Sequence, residues 1–229
     1  MRGFVSVVIP VRNGITYLGE AIESVLRQGR HGMEVIVVDN GSMDGSRGIA
    51  ESFGAPVRVI GEARPGAAHA RNSGVAVAQG EFLAFLDADD VWAHGKLERQ
   101  ISELDARKDL DMVFTHGENF LSPELTEVQR RSVSFLPGVG PFILPSAMLA
   151  RRESFLKVGP LPPLREGEFI AWYGMALSMG LRSEVIPEVL LYRRVHLTNS
   201  TRLASNPRDL LRAAKMVLDH QRGDKGLEP

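Results

Sequence analysis

The sequence predicts an α/β fold: a mostly parallel, Rossmann-like sheet flanked by helices, followed by a smaller and less regular half. Three observations carry this. In the first hundred residues, continuous apolar runs alternate with stretches of helical periodicity, the rhythm of a parallel sheet covered on both faces. Two of these runs end on aspartates, at Asp39 and at Asp87. After residue 118 the rhythm loosens.

Each element has its own signal. Val5 to Val11 is almost continuously apolar and β-branched, as a buried strand requires, and Ile15, Leu18, Ile22, Val25 and Leu26 then recur at helical spacing. Val35 to Val38 is a second buried strand, closed by the turn-forming stretch Asn40-Gly41-Ser42-Met43-Asp44-Gly45. A short helix is expected from Ser46 to Phe53 and a third strand from Val57 to Ile60. Ala67 to Ala78 is Ala-rich and helical, Phe82 to Leu86 is a fourth strand, and Lys96 to Arg107 is an amphipathic helix.

In the second half, Met112 to His116 reads as a strand and Asn119 to Gly140 as a long loop without periodicity. Ser146 to Ala150 is apolar, and short helices are expected over Arg152 to Val158 and Phe169 to Met179. Val185-Ile186 and Val189 to Val195 read as strands, Pro207 to His220 as a closing helix, and the polar tail from Gln221 as frayed.

Composition narrows the function classes. The 229 residues are 44% hydrophobic and 24% charged, ordinary for a globular chain with a sizeable core. A net charge of -1 offers no global attraction to nucleic acid, which is not expected as a partner. The absence of cysteine removes disulfides, thiolate metal sites and cysteine nucleophiles. No apolar run reaches the roughly 20 residues that span a bilayer, and Pro10 interrupts the first apolar stretch, so no transmembrane segment and a cytoplasmic location are expected.

The chemistry concentrates in Asp87-Ala88-Asp89-Asp90. A buried strand running into three aspartates leaves carboxylates beside apolar surface, which is costly unless they are paired or hold a cation. Carboxylates two apart at a turning strand end can converge on Mg²⁺ or Mn²⁺, hard ions that take oxygen ligands and share them with substrate phosphates. The simpler alternative is a helix N-cap made by Asp89 or Asp90. Asp39 is open to two readings as well, a turn residue or a carboxylate that accepts from a nucleobase or ribose. It shares a strand-end crevice with Asp87 if the sheet is parallel. Arg71 stands in a helix of small residues, where it is either solvated or in contact with a nucleotide.

Four stretches together resemble the ordered motifs of the family 2 inverting glycosyltransferases with the GT-A fold. They are Val5 to Asn13, Glu34 to Ser46, Arg64 to Gly74, and Gly80 to Asp90. A looser echo, Ser146 to Gly159 and then Glu168, is similar to that family's acceptor side. The resemblance implies a metal-dependent transfer of a sugar from a nucleoside diphosphate, UDP above others, to an acceptor hydroxyl. It implies that Pro10, Arg12 and Asp39 line the nucleoside pocket, that Arg71 contacts base or phosphate, and that Asp87 lies near the ribose. Asp89 matches the ligand of a Mn²⁺ or Mg²⁺ ion, and His196 completes the metal shell or contacts phosphate, assisted by Arg193 or Arg194. Residues 1–118 would then form the nucleotide-sugar half and 119–229 the acceptor half of one domain.

Two departures stand out. Asn40 replaces a second aspartate, with little change expected. Phe169 replaces the aspartate of a Glu-Asp pair, which leaves Glu168 or Glu166 as the catalytic base. The acceptor stays open among a glycan, a lipid-linked sugar, a small metabolite and a peptide, as does a homodimer. A non-catalytic nucleotide-sugar or glycan-binding module is the rival reading. A dinucleotide oxidoreductase is disfavoured, because Pro10-Val11-Arg12-Asn13-Gly14-Ile15-Thr16 lacks the Gly-x-Gly-x-x-Gly loop.

Overall fold

The computed structural model describes residues 3–29, 32–133, 138–199 and 207–224. The strands of the first half are β1 (Val5–Val11), β2 (Met33–Asp39), β3 (Val57–Gly61), β4 (Phe82–Phe85) and the short β5 (Val91–Trp92). Between them lie α1 (Leu18–Leu26), α2 (Ser46–Ser52) and α3 (Ala67–Val77), and α4 (Lys96–Ala106) follows. The second half holds β6 (Met112–Leu121), α5 (Glu127–Ser132), β7 (Val139–Phe142), β8 (Leu149–Arg151), α6 (Arg152–Val158), α7 (Glu168–Ser178), β9 (Ser183–Val195) and α8 (Pro207–Asp224).

Eight strands form one path, β3-β2-β1-β4-β8-β6-β9-β5, and β7 hangs on β6. β3, β2, β1 and β4 are parallel, β8 runs antiparallel between β4 and β6, and β6 pairs parallel with β9. The parallel run β3-β2-β1-β4 is the one that the alternating apolar runs predict; the antiparallel pairings of β5, β7 and β8 make the whole sheet mixed. β1, β2 and β4 are buried almost without exception, so their apolar continuity reflects helices on both faces. α3 lies hard on the sheet because its inward face is small. A Cβ on Gly74 would collide with Val8 and stand 3.2 Å from Val38.

The second half departs from expectation in three places. The expected loop 119–140 contains the last three residues of β6, the helix α5 and the start of β7. β6 runs five residues past His116, because β9 pairs with it as far as Leu121↔Val195. α5 owes its existence to a capping box, in which Thr126 accepts from the Gln129 amide and Gln129 accepts from the Thr126 amide. The two strands expected at 185–195 are one, with a register shift where Pro187 cannot donate to the ladder. The backbone is helical through Asp224 rather than frayed from Gln221; residues beyond it lie outside those described. No described helix is long and apolar enough to cross a membrane.

Candidate active site

The carboxyl ends of β1, β2 and β4 open into a cleft of about 620 Å³, closed on its far side by the end of β9 and the residues after it. Pro10, Arg12, Arg71, Asp87, Asp89 and His196 all line it. Asp39 stands at the same sheet edge but is 8% exposed, and its Oδ1 accepts from the Ser42 amide at 3.0 Å. The wall beside it is made by Asn40.

Asn40 does more than a neutral stand-in for aspartate. Its Nδ2 donates to the Glu62 and Arg64 carbonyls at 2.8 and 2.7 Å, and its Oδ1 accepts from the Gly66 amide at 2.8 Å. The amide staples the segment before α3 to the end of β2. An aspartate has no donor for the two carbonyls, so the amide makes contacts here that the family's carboxylate could not.

Asp87 is held from two sides. Its amide donates to Ser146 Oγ at 3.0 Å, and its Oδ1 accepts from Arg71 Nη2 at 2.6 Å. Arg71 is not solvated: its side chain is 6% exposed and its Nη1 reaches Glu168 at 2.8 Å. Burial works against its charge, but the carboxylates of Asp87 and Glu168 outweigh that and raise its pKa further.

Asp89 Oδ2 faces His196 Nε2 at 2.9 Å and accepts from Asn199 Nδ2 at 3.1 Å. Asn199 also takes the His196 amide at 2.6 Å, closing the turn that carries the imidazole. Neither Asp89 nor Asp90 caps a helix. β5 and Gly95, the residue before α4, intervene. Asp90 is 3% exposed and accepts from the Arg194 amide at 3.1 Å. Burial and then the charges of Asp89 and Asp87 push its carboxyl well above the ordinary value.

The donor set suits a hard divalent cation. Among the described residues no three His, Cys, Asp or Glu side chains cluster as a complete metal cage. A carboxylate and an imidazole on one wall of a cleft are a partial set of the kind that Mn²⁺ or Mg²⁺ shares with substrate phosphates.

Of the two arginines before His196, only Arg193 lines the cleft. Arg194 is 3% exposed behind it, between the rings of Tyr17 and Phe120 at 4.7 and 4.6 Å. Its Nε donates to the Asp89 carbonyl at 2.9 Å and its Nη2 to Glu20 at 2.5 Å. It orients the aspartate turn rather than facing the cleft. Tyr17 also packs on the His196 ring at 4.8 Å and donates to Glu124. Tyr17, Asn199 and the supporting role of Arg194 carry no motif of their own; their signal is three-dimensional.

Glu168 opens α7 and its side chain is 15% exposed. Phe169 points away from it into the core, stacked on Trp172 at 5.8 Å and edge-on to Phe114 at 6.2 Å. The aromatic residue anchors the first turn of α7. Glu166 is half-buried two residues earlier; neither it nor Glu168 is among the residues lining the cleft, which Glu168 approaches through Arg71.

The strand ends of the mixed sheet thus bring two aspartates, a histidine and a buried arginine to one cleft. The profile described as "Glycosyl transferase family 2" matches residues 6–159, and the chain belongs to that family. Glycosyltransferase GlyG of Streptococcus pneumoniae is 32% identical over 181 residues, which are 69% of this chain and 60% of that one. An uncharacterized glycosyltransferase of Nostoc is 33% identical over 222 residues, 86% of this chain and 66% of its own. The chain thus spans 60 to 66% of the length of these two relatives. TarS 1–349 of S. aureus, in complex with UDP-GlcNAc, superposes with a TM-score of 0.77 at 20% identity, over 95% of this chain and 66% of that one. The mannosyltransferase PcManGT of Pyrobaculum calidifontis, in complex with GDP-Man and Mn²⁺, gives 0.65 at 20% identity, over 98% and 65%. These two likenesses establish the fold.

Proposed function

We propose that this protein transfers a sugar from a nucleoside diphosphate, UDP foremost, to an acceptor hydroxyl, with inversion at the anomeric carbon. The observation that carries it is the facing pair Asp89–His196 on one wall of the cleft, with Glu168 tied to Asp87 through Arg71. The UDP-GlcNAc and GDP-Man bound in TarS and PcManGT support a nucleotide-sugar donor.

In this reading Pro10, Arg12 and Asp39 cradle the nucleoside, Asp87 takes the ribose side, and Arg193 meets the diphosphate. Asp89 and His196 would hold a Mn²⁺ or Mg²⁺ ion, which would supply Lewis-acid neutralisation of the leaving diphosphate. Glu168 takes the proton from the acceptor hydroxyl as its oxygen attacks opposite the leaving group. General-base help of this kind is worth about 10²–10⁴-fold. The acceptor in this reading is a hydroxyl of a glycan, a lipid-linked sugar, a small metabolite or a peptide.

The test is a thermal-shift panel of nucleotides and nucleotide-sugars with and without Mn²⁺. UDP with Mn²⁺ raises the melting temperature, and Asp89→Ala abolishes the rise. If no nucleotide gives a metal-dependent shift, the donor-site reading falls. Glu168→Gln is expected to stop turnover with UDP binding intact; undiminished turnover would move the base to Glu166.

A further inference from the structure

Two neighbouring residues of α3 cross from the donor side to the acceptor side. Arg71 spans Asp87 and Glu168, and Asn72 exchanges two hydrogen bonds with the backbone of Leu161, at 2.8 and 2.9 Å. Both reach the segment that leads into α7. α3 itself cannot yield, because Gly74 and the buried Ala70 press it onto β1 and β2. At the far end of the bridge, Glu168 sits on a turn fixed by Phe169 and Trp172 in the aromatic core. A guanidinium fork held on rigid helices places a carboxylate within narrow limits.

We propose that Arg71 is a positioning residue, not a nucleotide contact: it fixes the Glu168 carboxylate against the donor-site wall at Asp87. This rests on the glycosyltransferase reading and on Glu168 as base. Each terminal nitrogen of Arg71 gives a hydrogen bond to a carboxylate. Its Nε–H is buried without an acceptor and is a donor that a ligand oxygen could take, so nucleotide affinity is the deciding measurement. Asn72 acts beside it, holding the connector at Leu161 so that the α7 start cannot swing away.

The experiment compares Arg71→Lys, Arg71→Met, Asn72→Ala and Glu168→Gln with the wild type. UDP affinity with Mn²⁺ is read by calorimetry, and turnover as UDP release from UDP-sugars. Backbone exchange in the first turn of α7 is read by hydrogen–deuterium labelling. If Arg71 positions Glu168, UDP affinity in Arg71→Met stays within about three-fold while the first turn of α7 exchanges faster. Its kcat drops about 10²-fold or more, within the range of general-base help, with KM for the donor little changed. In the Glu168→Gln background the same substitution costs almost nothing further, the non-additivity of residues that act as one unit. Arg71→Lys, a point charge in place of a fork, recovers little of the rate.

A ten-fold loss of UDP affinity in Arg71→Met, or unchanged exchange in α7, overturns the inference. Both can be read without turnover. Failure of the wild type to bind UDP with Mn²⁺ instead sinks the functional reading. Undiminished turnover in Glu168→Gln sinks the base assignment.

Discussion

Asn40 shows how much one atom can matter at this sheet edge. Aspartate in its place would put a carboxylate oxygen against the Glu62 and Arg64 carbonyls that the amide now serves. An unsatisfied buried group costs about 1–3 kcal/mol, so Asn40→Asp is expected to lower stability by that order, and by more once repulsion is counted. Equilibrium urea unfolding checks it, and an unchanged midpoint would show that the staple contributes nothing. Asp87 and Asp89 were legible as cleft residues because acidic residues at the end of an apolar strand have few cheap explanations, whereas His196 was named only through the family resemblance. Arg194 was not separable from Arg193, since adjacent residues on a strand end face opposite sides and nothing local says which side is the cleft. The packing role of Phe169 was not legible either: in the motif it stands where a carboxylate is usual, and only the fold shows its ring against Trp172 and Phe114.

Helices and strands divide by what makes them. α3 was readable from its small residues, and its contact with the sheet sets a steep demand. Gly74→Ala adds a methyl group where Val8 already stands, and overpacking of this kind costs about 1–3 kcal/mol. The melting temperature should fall accordingly, with nucleotide affinity reduced too, because α3 carries Ala67, Ala70 and Arg71 into the cleft wall. α5 is the opposite case. It buries no residue and stands on its capping box, so no hydrophobic period announces it. Thr126→Ala should weaken it by about 1 kcal/mol, seen as faster amide exchange confined to residues 126–132 with the global midpoint unmoved. A shift of the global midpoint would mean that α5 is integral to the core. The long β9 was read as two strands because Pro187 breaks the apolar run, while the ladder to β6 resumes after the bulge.

Across the whole molecule, one buried charge links stability to pH. Lys96 is fully buried, its Nζ donating to Gln100 at 2.7 Å and lying 4.2 Å from the Trp92 ring centroid. Burial lowers its pKa well below the ordinary lysine value. The folded state therefore binds fewer protons than the unfolded chain between the lowered value and the ordinary one. In that window stability rises with pH, with a slope of at most about 1.4 kcal/mol per pH unit, and flattens above the ordinary lysine value. Urea midpoints of wild type and Lys96→Met, compared from pH 7 to pH 10, should converge or cross as pH rises, because the variant lacks this slope. Parallel profiles would show that Lys96 keeps its proton when buried. Trp92 donates to the Ser146 carbonyl, and Ser146 Oγ in turn holds the Asp87 amide. The same knot thus carries stability and the geometry of the cleft.

The path of the sheet has a consequence for how such a protein can change. β8 from the second half is wedged between β4 and β6, and β5 from the first half closes the edge beyond β9. Each half supplies strands that the other needs as neighbours, so neither could be excised or traded between relatives as a cassette without leaving raw strand edges open to aggregation. New acceptors would have to be acquired in place, through the stretches that join the strands, while the interleaved ladder stays as it is.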